Sequence, residues 1–243
     1  MASNTGANKS GNKDRPRVTE AQALKILGET RFLAADRVAA AWNKVIGERR
    51  AGQSIPPVKI SGRQPVPYTE ATLKKVAADP AWCLFYDPGF SIRDNREITG
   101  TDPARQPCHR ADNDWWYRER EDYWTKTRDE PGYHLVRMEG LFQLTNPAQD
   151  WEWQEEQVKQ MGELFQRATT RVIVNACVSF FLLNNQKYFV NYSNFGPERD
   201  SDWCYLVTGW DELGINLGHW LSNDWGGYWG ADLRVCLFRK FDL

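Results

Sequence analysis

The residue types able to do chemistry in this chain are few and scattered. Three histidines, His109, His134 and His219, stand far apart, and one of them follows a cysteine directly as Cys108-His109. An adjacent pair has neither metal-ligand spacing nor the separation of a folded nucleophile and base. The five cysteines (Cys83, Cys108, Cys177, Cys204, Cys236) form no C-x-x-C pair, and Cys177 and Cys236 lie in apolar runs that suit small buried hydrophobes. No G-x-S-x-G, H-E-x-x-H, G-x-x-x-x-G-K-[ST] or G-x-G-x-x-G occurs, so the sequence lacks the hydrolase, zincin and nucleotide-binding signatures. Glu152, Glu155 and Glu156 share a helical stretch with Trp151 and Trp153 and read best as its solvated face. Asn223-Asp224 offers two neighbouring oxygen ligands where calcium takes about six to eight, so no metal or other cofactor is expected.

What stands out instead is a vocabulary of recognition. Between Arg199 and Arg234 there is no Lys or Arg, and Trp203, Tyr205, Trp210, Trp220, Trp225, Tyr228 and Trp229 alternate with Gly, Asn, Asp, Ser and His. Rigid aromatics give contact area at low entropic cost, and small polar residues give adaptable hydrogen bonding. Short strands over a Trp-rich core, joined by Gly-Asn-Asp turns, would use the same letters, so a core alone and a core with a ligand surface both stay open.

The elements that must position these residues follow from pattern. Residues 1–17 are Asn/Gly/Ser/Lys-rich and too poor in apolar groups to order, which makes them a disordered tail. A helical module over 18–50 comes next. Thr19 and Gln22 form a capping box for a helix closed by Gly28, and a second helix fits Phe32 to Ile46, stopping at Gly47. A Pro-rich linker over 51–67 separates the two halves, followed by a connecting α/β segment over 68–131. There Thr69 caps a helix to Ala78 and Trp82 to Tyr86 is a strand ended by Asp87-Pro88-Gly89. Residues 90–113 look irregular, and the aromatic, charge-alternating block from Asp114 to Asp122 is assigned no element. Gly132 to Met138 is a strand, Trp151 to Arg167 an amphipathic helix, and Thr170 to Asn184 a buried helix. After short aromatic strands, Leu233 to Phe241 is a central closing strand, and this order is α+β.

From Gly132 to Leu243, the run Gly-Tyr-His-Leu-Val, the helix around Trp153-Gln154-Glu155-Glu156, the apolar helix to Leu183 and the closing Leu233-Arg-Val-Cys-Leu-Phe-Arg-Lys-Phe together resemble a C-type-lectin-like domain. More narrowly, the chain is similar to uncharacterised proteins of candidate-phyla bacteria and their phages whose lectin-like C-terminal domains resemble the variable proteins of diversity-generating retroelements. Thr19-Glu-Ala-Gln-Ala-Leu-Lys-Ile-Leu-Gly, Asp114-Trp115-Trp116-Tyr117 and Thr125-Lys-Thr-Arg-Asp-Glu-Pro-Gly-Tyr-His-Leu-Val carry that likeness as well. The resemblance implies a helical N-terminal module carrying a 132–243 lectin-like scaffold whose ligand face varies between copies.

In that class variation arises at adenines of Asn codons. Positions here with matching residues are Asp202, Tyr205, Asp211, Asn216, His219, Ser222, Asn223, Asp224 and Tyr228, while Trp203, Trp210, Trp220, Trp225 and Trp229 would be fixed. The sugar-binding form of the fold uses a Glu-Pro-Asn type loop for calcium, where this chain has Gly196-Pro197-Glu198-Arg199, so calcium-dependent carbohydrate binding is not expected.

The expected function is a non-enzymatic ligand-binding or display protein, with a protein or small molecule as partner at the C-terminal face. A structural part of a phage or larger assembly, anchored by Trp115, Trp116 and Trp124, is the alternative. An enzyme resembling formylglycine-generating oxidases, working through Cys204 and Cys236, is a further one. With 31 Lys/Arg against 32 Asp/Glu the chain carries no nucleic-acid footprint, although Met1 to Arg50 is basic and reads as a solvated helix face. The N-terminus has no apolar signal core and no window has the roughly 18 apolar residues of a membrane span, so a cytoplasmic location is expected, with a phage particle or surface display as other settings.

Overall fold

The structure is a computed structural model, and it describes residues 17–49, 55–60, 64–118, 126, 128–143, 151–190, 193–199, 204–220 and 233–242. The expected tail at 1–17 lies outside these except for Arg17, which forms a bridge with Thr69. Helix α1 (Glu20–Leu27) opens on the expected capping box, with Thr19 accepting from the Gln22 amide and Gln22 from the Thr19 amide. It ends at Gly28, whose φ of 78° frees its N–H for the Leu24 carbonyl.

The second helix differs from expectation at its start. Phe32 and Leu33 are 1% and 0% exposed and form a two-residue strand β1 (Phe32–Leu33). Helix α2 (Ala35–Arg49) begins only where the Ala35 N–H donates to the Tyr133 hydroxyl at 2.9 Å. An apolar pair that suits a helix face is drawn into the sheet because its backbone pairs with Leu84 and Phe85.

The Pro-rich linker does not divide two cores. Val66 and Tyr68 are fully buried, and the Asn43 side chain exchanges hydrogen bonds with the backbone of Val58. One apolar core runs from Val18 through α2 to Phe238. Helix α3 (Glu70–Ala77), capped by Thr69, and strand β2 (Trp82–Asp87) match their sequence signals.

The stretch read as irregular contains helix α4 (Ile92–Thr99), started by a second capping box between Ser91 and Asp94. A short α5 (Trp115–Arg118) follows, then β3 (Gly132–Leu141). The amphipathic helix expected to reach Arg167 stops early: α6 is Trp151–Gln160, and Gly162 at φ 106° turns the chain into β4 (Phe165–Arg167). The last residues of that amphipathic pattern gain more from pairing with Leu237 to Arg239 than from a solvent-facing helix end. Helix α7 (Thr170–Asn184) spans the expected range, with every residue from Thr170 to Phe180 buried.

Strands β5 (Ser193–Arg199), β6 (Tyr205–Asp211), β7 (Gly214–Trp220) and β8 (Leu233–Arg239) complete a sheet ordered β1-β2-β3-β8-β5-β6-β7. β8 is the joint: its start runs parallel to β5, while its end lies antiparallel between β3 and β4. Helix α7 packs on this sheet together with α2 and α4, and the core lies between them. The chain is thus an α+β protein with a mostly antiparallel sheet of eight strands and seven helices among the described residues. None of those helices is long and apolar enough to cross a membrane.

Phe238 is 9% exposed, with its ring centroid 5.3 Å from that of His134 and 6.1 Å from that of Phe241. Phe238→Ala should destabilise the protein by about 3–5 kcal/mol through lost burial and the cavity left behind, measurable by urea denaturation.

Candidate functional site

The described part of the expected recognition segment, residues 204–220, folds as a two-faced hairpin. Opposite residues of an antiparallel pair share a face, and here Trp210 pairs with Ile215 and Thr208 with Leu217. Leu206, Trp210, Ile215 and Leu217 belong to the main core, with Trp210 against Phe181 of α7. The intervening positions form the other face, where Gly209 lies opposite Asn216 and Val207 opposite Gly218. A Cβ on Gly218 would stand 2.9 Å from the Val207 side chain, so this position needs a glycine for close packing across the pair.

Of the nine expected ligand residues, the structure places Tyr205, Asp211 and Asn216 in full and His219 by backbone alone, in register with Leu206. Asp202, Ser222, Asn223, Asp224 and Tyr228 lie outside the described residues. Tyr205 corrects the expectation of a solvent-facing side chain. It is 3% exposed and stacks on Trp151 of α6 at 4.4 Å with planes 8° apart, while the Arg167 guanidinium sits 4.6 Å from the same Trp151 ring. The ring closes a small second core with Leu233.

Asp211 builds the hairpin turn by accepting from the Leu213 and Gly214 amides, and it pairs with Arg110 at 2.7 Å. Asn216 accepts a hydrogen bond from Asn113. These partners come from the stretch read as irregular, which runs along the edge of β7. The Ile215 N–H donates to Cys108 O, the Arg110 N–H to Ile215 O, and Trp115 Nε1–H to Leu217 O. Covering an edge in this way removes an open template for strand addition.

Beneath that stretch lies a buried polar chain that sequence reasoning missed. The Asp87 carboxylate is 0% exposed and meets Arg171 at 2.8 Å, the Gly89 amide at 2.8 Å, Asn175 Nδ2 at 3.0 Å and His134 Nε2 at 3.6 Å. Arg171 also reaches Asp129 at 2.5 Å. Asn175 donates to Asp87 and to Phe90 O, two groups that can only accept, so its own oxygen must accept from Asn95 Nδ2. The Asn95 oxygen then receives His109 Nε2–H at 3.1 Å. Every donor in the line points towards Asp87, and the His109 tautomer is fixed with a bare Nδ1 that is buried without a partner among the described residues.

Burial, reinforced by the nearby Arg96, pushes the His109 pKa down to about 3. Burial also lowers His134, against the pull of Asp87. The sequence signal for this chain was present: Arg171 and Asn175, four apart, are the charged residue and the amide on the buried stretch of an otherwise apolar helix.

Four of the cysteines carry no activated thiol. All five are buried, and desolvation holds Cys83, Cys108, Cys177 and Cys236 above the ordinary thiol range. Among the described residues no group of three or more His, Cys, Asp or Glu could hold a metal. Glu198, in the Gly-Pro-Glu-Arg stretch, is committed to helix α7: its carboxylate accepts from the Thr170 amide and hydroxyl, and burial raises its pKa.

No protein-family model, curated protein or solved structure matches this chain.

Two substitutions test the assignment of roles. Tyr205→Ala should cost about 3–5 kcal/mol, comparable to a buried phenylalanine, rather than the few tenths expected of an exposed residue. Arg171→Ala should cost about 3–5 kcal/mol by leaving the buried Asp87 carboxylate without its countercharge, Asp87→Ala less because Arg171 keeps Asp129, and the apolar pair Asp87→Leu with Arg171→Met should be less damaging than Arg171→Ala. Urea denaturation of each variant checks both.

Proposed function

We propose that this chain is a non-enzymatic ligand-binding or display protein, whose residues from Gly132 onward adopt a C-type-lectin-like arrangement and present a ligand face on the β6–β7 hairpin. The observation that carries the reading is the division of labour across that hairpin. Core-side positions hold Leu206, Trp210, Ile215 and Leu217, while the opposite side begins at the buried Tyr205 and Val207 beside it and continues through Gly209, Gly218 and the half-buried amide of Asn216. Side chains on such a face can change without disturbing the packed side.

The lectin-like arrangement draws support from topology. β3 and β8, the first and last strands of the segment, are antiparallel neighbours, with α6 and α7 following β3 and the strands β5 to β7 preceding β8. The ligand is a protein or small molecule, since the region from 200 to 233 carries no Lys or Arg to meet a phosphate backbone. Variation between copies, at Asn216 and the expected positions 222–224 and 228, extends the same reading; the position of His219, in register with the core residue Leu206, is on the packed side.

A library diversified at Asn216, Ser222, Asn223, Asp224 and Tyr228, displayed on yeast, tests it. Most members should fold and display at wild-type levels, and selection against a panel of proteins and small molecules should yield specific binders. General loss of display would show that these positions are packed and would remove the basis of the proposal. The diversification part is tested separately: neighbouring DNA should hold an imperfect copy of the 200–235 coding region, differing mainly at adenines, beside a reverse transcriptase gene.

A further inference from the structure

We propose that residues 108–115 form an acid-released strap over the edge of β7, with His109 as the group that senses the proton. The inference is independent of the ligand-binding proposal, because it rests on the strap alone. Its outer side is fastened by Cys108 and Arg110 to the Ile215 backbone, Cys108 Sγ–H to Leu213 O, Trp115 Nε1–H to Leu217 O, Arg110 to Asp211 and Asn113 to Asn216. Its inner side is fastened by the His109 N–H, which donates to Gly100 O at 2.9 Å, and by the His109 ring, which sits 1% exposed between Asn95 and Trp116.

The hydrogen-bond polarity makes that ring intolerant of a second proton. Nε2 already donates to Asn95, so an incoming proton must sit on Nδ1, which has no acceptor among the described residues. From α4, the Arg96 guanidinium acts on the ring with the same charge the ring would gain. From α5 the neighbour is the Trp116 ring, and β7 contributes the Ile215 backbone. Of the carboxylates around it, Asp112 and Asp211 are held by Arg110, and Asp87, two amides away, by Arg171. A protonated His109 is therefore accommodated in the open strap and not in the closed one.

Opening is local because residues 110–115 of the strap are exposed or half-exposed, whereas Asn95, Asn175 and Asp87 beneath it remain packed by α4, α7 and β2. The linkage sign follows from the depressed folded pKa. The ordinary imidazole value is 6.5 and the closed value about 3, so strap stability is complete above pH 6.5 and is lost as pH falls towards 3, about tenfold per unit. The released state uncovers the Ile215 N–H and C=O on the β7 edge, and frees Asp211 and Asn216 from their strap partners.

Amide hydrogen exchange on the full chain, corrected for intrinsic chemical rates, reads this directly. Between pH 7.5 and pH 4.5 the Ile215 and Arg110 amides should lose roughly 100-fold in protection, while β2–β3 amides such as Leu135 stay far better protected. His109→Gln should abolish the pH dependence at the strap. Loss of protection at the strap and in β2–β3 together, or an unchanged pH response in the variant, would overturn the proposal. Should the variant fail to fold, the wild-type imidazole resonances decide: His109 titrating near pH 6.5 while the Ile215 amide stays protected refutes the strap, and its failure to titrate while closed supports it.

Discussion

Burying the Asp87 carboxylate at the end of β2 constrains most of what surrounds it. An ionised group with no solvent is tolerated only when its oxygens are met by donors and a countercharge. Arg171 and Asn175 supply these from successive turns of α7, which fixes the rotation and axial position of that helix over the sheet. The Gly89 amide adds a donor from the turn that ends β2, and His134 approaches from β3. Because a carboxylate only accepts, it also dictates the orientation of each amide beyond it, through Asn175 and Asn95 to His109. One charge thereby reaches α4 and the covering segment on β7, with no titratable group between.

A second organising device is the double pairing of β8. Its start belongs with β5, β6 and β7, and its end with β3, β4 and β2, so a single strand couples the two halves of the sheet. The half carrying the proposed ligand face needs further anchors, and buried polar groups provide them. Gln154 of α6 donates to the carbonyls of Phe142 and Leu233, Arg167 ties Glu155 to the Trp151 carbonyl, and Glu198 of β5 caps α7. The Trp151–Tyr205 stack closes the remaining gap. A hairpin clamped on one side and floored with glycine on the other suits a rigid display surface, which is why the proposed function rests on the frame as much as on the aromatic composition.

Legibility in the sequence followed the range of the forces involved. Thr19 and Thr69 announced their helices because a cap is satisfied within three residues, and the Ser91–Asp94 box was equally local, overlooked because its surroundings are polar. The run from Thr170 to Asn184 declared a buried helix because apolar residues all round leave no face for water. The positions of β2, β3 and β8 showed in their β-branched and aromatic content, although β3 runs past Met138 to Leu141 and β8 ends at Arg239 rather than Phe241. By contrast β1 and β4 are too short to hold a period, and each exists because a partner strand offers its backbone.

For the candidate site the same division holds. Composition alone marked residues 200–233 as aromatic, small-polar and free of Lys and Arg, and the α+β order was readable from element sequence. Which of those residues face the interior was not, since Tyr205 is buried by a tryptophan 54 positions away and Asp211 and Asn216 are engaged by Arg110 and Asn113 from a loop with no pattern of its own. The buried line from Asp87 to His109 joins residues that are neighbours only after β2, α4 and α7 have packed. Local hydrogen bonding and hydrophobic periodicity are written in adjacent residues, whereas the partner of a buried charge is chosen by the fold that excludes water from it.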